Sequence, residues 1–244
     1  MLLSVCMIAR DESRCIGDAI RSARSLADEV IVVDTGSRDT TPHVASQLGA
    51  RVLHQPWQDD FSLHRNHAID QALGRWVLIL DADEVIEPAD FGETRSRLAG
   101  DGLPDILMVK HWSTYPGGDS VLEYLARIVR RDSGIRYVHP IHEQLKVRGE
   151  EALLSNLVLR HSGYTGAERL RQKHERNLRI AQMMPDDEPH AHHCRMRSLA
   201  ALGRWDEAAR AADALLALHG VADPVRSDAH VLAAAARLEA ARRG

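Results

Sequence analysis

The chain of 244 residues has little that would staple it together or tie it to a large polyanion. Its three cysteines, Cys6, Cys15 and Cys194, are odd in number and form no CxxC pair. That excludes a disulfide framework or a cysteine zinc site and points to a reducing cytosol. The formal net charge is −4, without the basic excess that a nucleic-acid binder working through bulk electrostatics needs. Four Trp, four Tyr and two Phe are too few for a platform that stacks single-stranded bases. No apolar run approaches the roughly 18 residues of a membrane span. The opening apolar run stops at Arg10 and lacks the basic flank and long apolar region of a signal peptide. The expected location is therefore cytoplasmic. The arginine-rich residues 169–179 are the one support for a peripheral contact at the inner face of the membrane. No GxGxxG follows the first apolar run and no GxxxxGK[ST] occurs, which disfavours a dinucleotide dehydrogenase and removes a P-loop nucleotidase. Any phosphate must be met by metal and basic side chains instead of a glycine cradle.

What is present is ordinary globular material, 44% hydrophobic and 27% charged. The length suits one large domain, or one domain with an appendage. Residues 2–9 form an apolar, partly β-branched run that predicts a strand buried on both faces. From Ser13 the positions Ile16, Ile20, Ala23 and Leu26 follow helical spacing. Residues 29–34 predict a second strand, and Thr41 an N-cap with Pro42 at the first helical position and Gly49 closing that helix. Residues 51–54 predict a third strand, 62–73 a helix stopped by Gly74, and 76–80 a fourth strand. This alternation implies an α/β fold, with a parallel sheet covered by helices on both faces. Ligands of such sheets collect beyond the carboxyl ends of the strands. Those ends are Ala9-Arg10-Asp11, Asp34-Thr35-Gly36 and Asp81-Ala82-Asp83-Glu84.

After Pro88 the pattern changes. Residues 106–110, 122–131 and a stretch near Val147 read as strands separated by the turns Pro116-Gly-Gly118 and Ser133-Gly134, an antiparallel or mixed extension of the sheet. From Gly166 onward the chain reads as helical. Within it, Leu199-Ala-Ala-Leu-Gly203-Arg-Trp205-Asp-Glu-Ala208 resembles the turn of a tetratricopeptide repeat, and Gly220 to Pro224 separate a final helix. The expected division is a sheet domain over 1–165 and a short all-α extension over 166–244.

The strongest chemical constellation is Asp81-Ala82-Asp83-Glu84. Carboxylates at a strand end can chelate Mg²⁺ or Mn²⁺, and equally can cap the helix that follows near Glu87-Pro88. Asp34 can accept hydrogen bonds from a base or ribose, or cap its own turn. Arg127 and Arg130 offer bidentate phosphate contacts or a solvated strand face. Trp112 and Tyr115 are candidates for an acceptor-side platform, whereas Trp205 and Cys6 read as packing residues. His190-Ala-His-His193 suggests a metal group only at first sight, because adjacent helical positions do not share a face.

Four runs stand in a telling order. They are Ser4-Val-Cys-Met-Ile-Ala-Arg-Asp-Glu12, then Val32-Val-Asp34-Thr-Gly-Ser37-Arg-Asp39-Thr40-Thr41, then Asp59-Asp-Phe-Ser62 with Arg65-Asn66, then Leu80-Asp81-Ala-Asp83-Glu84. Arg127 with Arg130, Ile141-His142-Glu143-Gln144, and His161-Ser-Gly163-Tyr164 followed by Lys173 and Arg176-Asn177 continue the series. Together they resemble family 2 glycosyltransferases, and more narrowly the bacterial branch with tetratricopeptide-like helices after the catalytic domain.

The resemblance implies a GT-A fold, the nucleotide-diphospho-sugar transferase type. It also implies transfer of one sugar with inversion from a nucleotide-sugar donor, a UDP-sugar, with Mn²⁺ or Mg²⁺ as cofactor. By the same resemblance Asp34 holds the base, and Arg65 and Asn66 lie near the nucleotide. Asp81 touches the ribose and the metal, and Asp83 is a metal ligand. Ala9, Arg10, Glu12, Gly36 and Ala82 belong to the same strand-end motifs and are expected along the donor, with Arg127 at its phosphates. Inversion needs a base on the face opposite the leaving group. Glu143 is the expected base, with His142 completing the metal shell as a neutral imidazole. The alternative is that His139 and His142 pack a loop around Pro140. The chain departs from the branch in having Arg10-Asp11-Glu12 for Lys-Asn-Glu, and His139-Pro140 where a glycine is usual. The QxxRW motif of processive synthases is absent, so single-sugar addition is expected. The acceptor would be a cell-envelope glycan such as lipopolysaccharide core, another glycan or a protein. The rivals are a catalytically silent nucleotide-binding or helical-repeat interaction module, and a sugar-phosphate nucleotidyltransferase. The latter should carry a Gly- and Arg-rich loop where Ala9-Arg10-Asp11-Glu12-Ser13 stands.

Overall fold

The structure, a computed structural model, describes residues 1–114, 119–146, 150–161 and 167–242. Tyr115, the Pro116–Gly118 turn, Val147, Ser162 to Tyr164 and Gly166 lie outside the described residues. The chain forms two compact units, one of Met1–Val138 and Glu143–Tyr164, the other of His139–His142 and Thr165–Gly244.

In the first unit the apolar runs become strands β1 (Leu3–Ala9), β2 (Glu29–Asp34), β3 (Arg51–His54) and β4 (Trp76–Ile79). They alternate with helices α1 (Ile16–Ala23), α2 (Thr41–Gln47) and α3 (Phe61–Gln71). β1 pairs in parallel with β2 and β4, and β2 with β3. β5 (Glu84–Ile86), helix α4 (Phe91–Ala99), and strands β6 (Ile106–Thr114), β7 (Ser120–Arg130) and β10 (Glu151–His161) follow, with a two-residue pair β8 (Tyr137–Val138) and β9 (Gln144–Leu145). The main sheet has the order β3-β2-β1-β4-β7-β6-β10-β5, with β7 antiparallel to both β4 and β6. This is the mixed extension that the sequence predicts.

The pleat sorts side chains by period two. Leu3, Val5 and Met7 of β1 join Ile16, Ile20, Ala45 and Leu98 in one core, which places α1, α2 and α4 on one face of the sheet. Cys6 joins Ile31, Val33, Ile79 and the α3 residues Ala68, Ile69 and Ala72 in the other. Trp76 is wholly buried, and its indole N–H donates to the Leu98 carbonyl at 2.8 Å. Gly74 ends the crossing from α3 to β4 because a Cβ there would lie 2.6 Å from the Ser4 backbone nitrogen.

Three local expectations are corrected. Thr41 is the first residue of α2, not its cap; the cap position is Thr40, without a side-chain bond. The Thr41 hydroxyl works across the neighbouring loop instead, accepting from the Glu12 N–H at 2.8 Å and donating to Asp39. α3 begins one residue early because the Asp60 side chain caps it, accepting from Leu63 N–H at 3.0 Å. Glu84, expected to chelate a metal or cap the next helix, opens the strand Glu84–Ile86, and α4 is capped by Asp90 instead. Three residues are too few to show a period, and antiparallel pairing with β10 makes them a strand.

The second unit holds α5 (Ala167–Gln182), α6 (Pro189–Ala201), α7 (Trp205–Ala217) and α8 (Asp223–Ala241), each packed on the next. Met196, Ala212, Leu215, Ala229 and Ala233 form its core. The small alanines let the α6–α7–α8 helices approach closely, as the repeat-like turn at Gly203 leads one to expect. Among the described residues no helix is long and apolar enough to cross a membrane.

Candidate active site

The site is built in the first unit at the carboxyl ends of β1, β2 and β4. Ala9 and Asp34 stand opposite each other in register, and the Thr35 N–H donates to the Ala9 carbonyl at 2.9 Å. Asp34 is buried and its carboxylate accepts from Ser37 N–H at 3.2 Å and His54 Nδ1–H at 3.3 Å. Gly36 takes φ +99°, which only glycine adopts without strain, and turns the chain over the carboxylate. From the other strand end, Asp11 accepts from the Arg38 and Asp39 N–H groups at 2.6 and 3.3 Å. Asp11 is itself left-handed, at φ 55°. The loops after β1 and β2 are thus cross-tied, with Arg10 exposed beside them and Ala82 buried.

Beyond β4 lies a network of buried charge. From α3, Arg65 donates through Nη2 to Asp81 Oδ1 at 2.7 Å and through Nε to Glu143 Oε1. From β7, Arg127 donates to Asp81 Oδ2 at 3.1 Å and to Glu84 Oε1 at 2.8 Å. Glu84 is 1% exposed; it also takes the Asp81 N–H at 2.9 Å and His111 Nε2–H at 2.9 Å. Asp83 accepts from His161 Nε2–H at 3.1 Å, with the His111 and His161 rings stacked 6.0 Å apart. The Tyr137 ring lies under the Arg65 guanidinium at 5.6 Å.

The protonation states follow from these contacts. Burial pushes the Asp81 carboxyl up, but Arg65 and Arg127 outweigh it and hold it well below the usual carboxylate range. Burial pulls Arg65 down, and Asp81 and Glu143 reverse that, leaving it firmly charged. Burial likewise opposes the charge on Arg127, and Glu84 and Asp81 restore it. Burial raises the Tyr137 phenol to about 12. Burial lowers His161, and the hydrogen bond to Asp83 more than compensates, so it ends above its ordinary value.

The structure brings Arg65, Asp81, Arg127 and Glu143 together. It separates Arg127 from Arg130, which binds Asp105 at 2.7 Å and covers the Trp76 ring at 4.3 Å. Asn66 uses both ends of its amide on the Tyr137 backbone, each at 2.9 Å. Trp112 alternates to the sheet face opposite His111, so it does not share the face that carries Glu84. His142 belongs to the second unit. Burial, then Arg197, His190 and Lys173, push it down to about 4; such cationic company gives a divalent cation no gain. His190, His192 and His193 go to three different partners, the Ile141 carbonyl, the Asp186 carbonyl and Asp228. Among the described residues no three His, Cys, Asp or Glu side chains are grouped to hold a metal. Asp83 with His161 is the donor pair that fits one, a hard oxygen and an imidazole, since Mg²⁺ and Mn²⁺ commonly take few protein ligands and complete their shells with substrate phosphates and water. Sequence reasoning placed Glu84 in the acidic constellation and His161 in the motif series without assigning either a role of its own, and it missed His111. The available signal for His111 was its place in phase with the apolar Leu107 and Val109 of the same strand.

The mixed sheet, its helices on both faces and the strand-end site define a GT-A fold. A solved structure titled as S. aureus TarS 1-349 in complex with UDP-GlcNAc aligns with a TM-score of 0.56 at 17% identity, covering 98% of this chain and 88% of that one. Residues 4–111 match the family described as Glycosyl transferase family 2. A TPR repeat-containing protein of Synechococcus elongatus is 36% identical over 185 residues, 70% of this chain and 44% of that protein. An uncharacterized glycosyltransferase of Rickettsia prowazekii is 42% identical over 82 residues, 34% of this chain and 28% of that protein. The chain thus spans less than half the length of these two relatives.

Proposed function

We propose that the first unit transfers a single sugar, with inversion, from a UDP-sugar to a hydroxyl of a cell-envelope glycan such as lipopolysaccharide core, another glycan or a protein. The observation that carries this is Arg65. Its Nη1 is buried and has no hydrogen-bond partner among the described residues, although its other nitrogens bind Asp81 and Glu143. An unsatisfied buried donor on a permanent cation is costly, and an anionic oxygen such as that of a diphosphate removes the cost. The likeness to a structure titled with UDP-GlcNAc supports the choice of donor.

In this reading Asp34 takes the base or ribose and the Asp11–Arg38 tie keeps the loops around it preformed. Asp83 and His161 would hold Mn²⁺ or Mg²⁺, which when bound neutralises charge on the departing diphosphate. Arg65 and Arg127 add fixed positive charge on the same side. Glu143, oriented by Arg65, accepts the acceptor's proton as its oxygen attacks the anomeric carbon. The test is calorimetric titration of UDP into the full chain, with and without Mn²⁺. Binding strengthened by Mn²⁺ and reduced at least tenfold by Asp83→Ala is the expected outcome. Absence of UDP binding under both conditions counts against the donor, and binding indifferent to Mn²⁺ counts against the metal.

A further inference from the structure

Within the first unit, the acidic run Asp81–Glu84 bridges the middle of the sheet and its edge. β4 ends at Ile79, and β5, which Glu84 opens, is the last strand in the order, held to β10 by three residue pairs. A strand with so few ladder bonds opens locally at low cost. The turn between β4 and β5 closes on itself: the Glu84 N–H donates to the Asp81 carbonyl at 3.0 Å, and the Asp81 N–H donates to Glu84 Oε2 at 2.9 Å. The second bond holds only while the Glu84 side chain keeps its rotamer. His111 sets that rotamer. From β6 it reaches across β10, alongside the His161 ring, and donates from Nε2 to Glu84 Oε1 at 2.9 Å. His111 is 6% exposed, and Ser113 Oγ lies 3.4 Å from its other ring nitrogen. The same Glu84 oxygen takes Arg127 Nη2 at 2.8 Å, and that nitrogen also meets Asp81.

We propose that His111 is a positioning residue for the donor site, its bond to Glu84 fixing the turn that presents Asp81 and Asp83. Of the three donors on the Glu84 carboxylate, the Asp81 N–H belongs to the turn being held, and Arg127 arrives on a long, flexible stem. The short imidazole, carried by a strand paired on both sides, is the donor with a fixed origin. With it lost, Glu84 is free to turn away. The Asp81 N–H then loses its acceptor, and the Arg127 guanidinium is left with one carboxylate in place of two. The proposal deepens the reading of Asp81, Asp83 and Arg127 as donor-binding residues and rests on it. His111 acts through Glu84, so its loss loosens the turn and weakens UDP with or without Mn²⁺.

The test compares the full chain with His111→Gln, His111→Asn and His111→Phe. Glutamine carries an amide nitrogen the same number of bonds from Cα as the imidazole Nε2. Asparagine carries it one bond short, and phenylalanine keeps a ring without a donor. Hydrogen exchange is read on peptides covering residues 80–86, and UDP affinity by calorimetry with and without Mn²⁺. In His111→Asn and His111→Phe, exchange over 80–86 should quicken about tenfold and UDP affinity should fall about tenfold in both conditions, the order of one hydrogen bond to a charged group. His111→Gln should restore both. Should His111→Phe fail to fold, the contrast between His111→Gln and His111→Asn, two small amides differing in reach, decides the matter. Exchange and affinity unchanged in His111→Asn overturn the proposal. So does an equal loss in His111→Gln and His111→Asn, which makes the ring and not its donor the essential part. Faster exchange spread equally over β1 and β2 makes His111 a folding residue and overturns it too. If the wild type itself does not bind UDP, it is the donor reading that fails, and the proposal falls with it.

Discussion

The residues that shape the donor-side loops are short acids used as backbone clamps. Asp39 accepts from Ser13 N–H at 3.1 Å and from the Thr41 N–H at 2.8 Å and hydroxyl. Partial burial raises its carboxyl, but these donors outweigh it and bring it down to about 2. A carboxyl depressed on folding stabilises the folded state fully above its unfolded value of about 3.9 and loses that contribution as pH falls through the folded one. Asp39 is exposed, so solvent keeps the effect below about 1 kcal/mol. Urea midpoints of wild type and Asp39→Asn should differ by a constant amount from pH 7 down to about pH 4. The gap should then close toward pH 2. A gap that persists unchanged at pH 2 would show that the clamp does not depend on the charge.

At the scale of elements, Asn66 shows how a helix can stand in for a strand. Its amide donates to the Tyr137 carbonyl and accepts from the Tyr137 N–H, so α3 supplies β8 with the pairing that a neighbouring strand would give. Asn66→Ala leaves both buried backbone groups unpaired and should cost about 1–3 kcal/mol in urea unfolding. Asn66→Asp, which keeps the acceptor and lacks the donor, should fall no nearer the wild type, and recovery by it would argue against the two-ended clasp. The order of elements was legible wherever a run was long or strongly apolar: β1, β2 and β4 are unbroken apolar stretches ending in polar turns. β5 has three residues, and α4 buries only Thr94 and Leu98, too thin a stripe to see in advance. The site divides in the same way. Asp34, Asp81 and Arg65 sit at strand ends or one turn into a helix, where local pattern reveals them. His111 and His161 reach Glu84 and Asp83 only through the pairing of β10 with β5 and β6, and such long-range register is not written in local spacing. His142, next to Glu143 in sequence, is grouped with the second unit.

The first unit packs on both faces of its sheet and the second unit has a hydrophobic core of its own, and the proposed donor-binding residues, from Asp34 to His161, all belong to the first unit. Damage to the second core should therefore dissociate stability from donor binding. Leu215 is wholly buried among Met196, Ala212 and Ala229. Truncation to alanine removes its transfer energy and leaves a cavity that rigid helices close only in part, a cost of about 2–5 kcal/mol. Leu215→Ala should lower the urea midpoint of far-ultraviolet circular dichroism for the helical unit by that margin. Calorimetric UDP affinity in Mn²⁺ should stay within about twofold of wild type, because that charge network has no member in the second core. A loss of UDP affinity in step with the loss of stability would mean that donor binding draws on the helical unit, and the assignment of the donor site to the first unit alone would have to be given up.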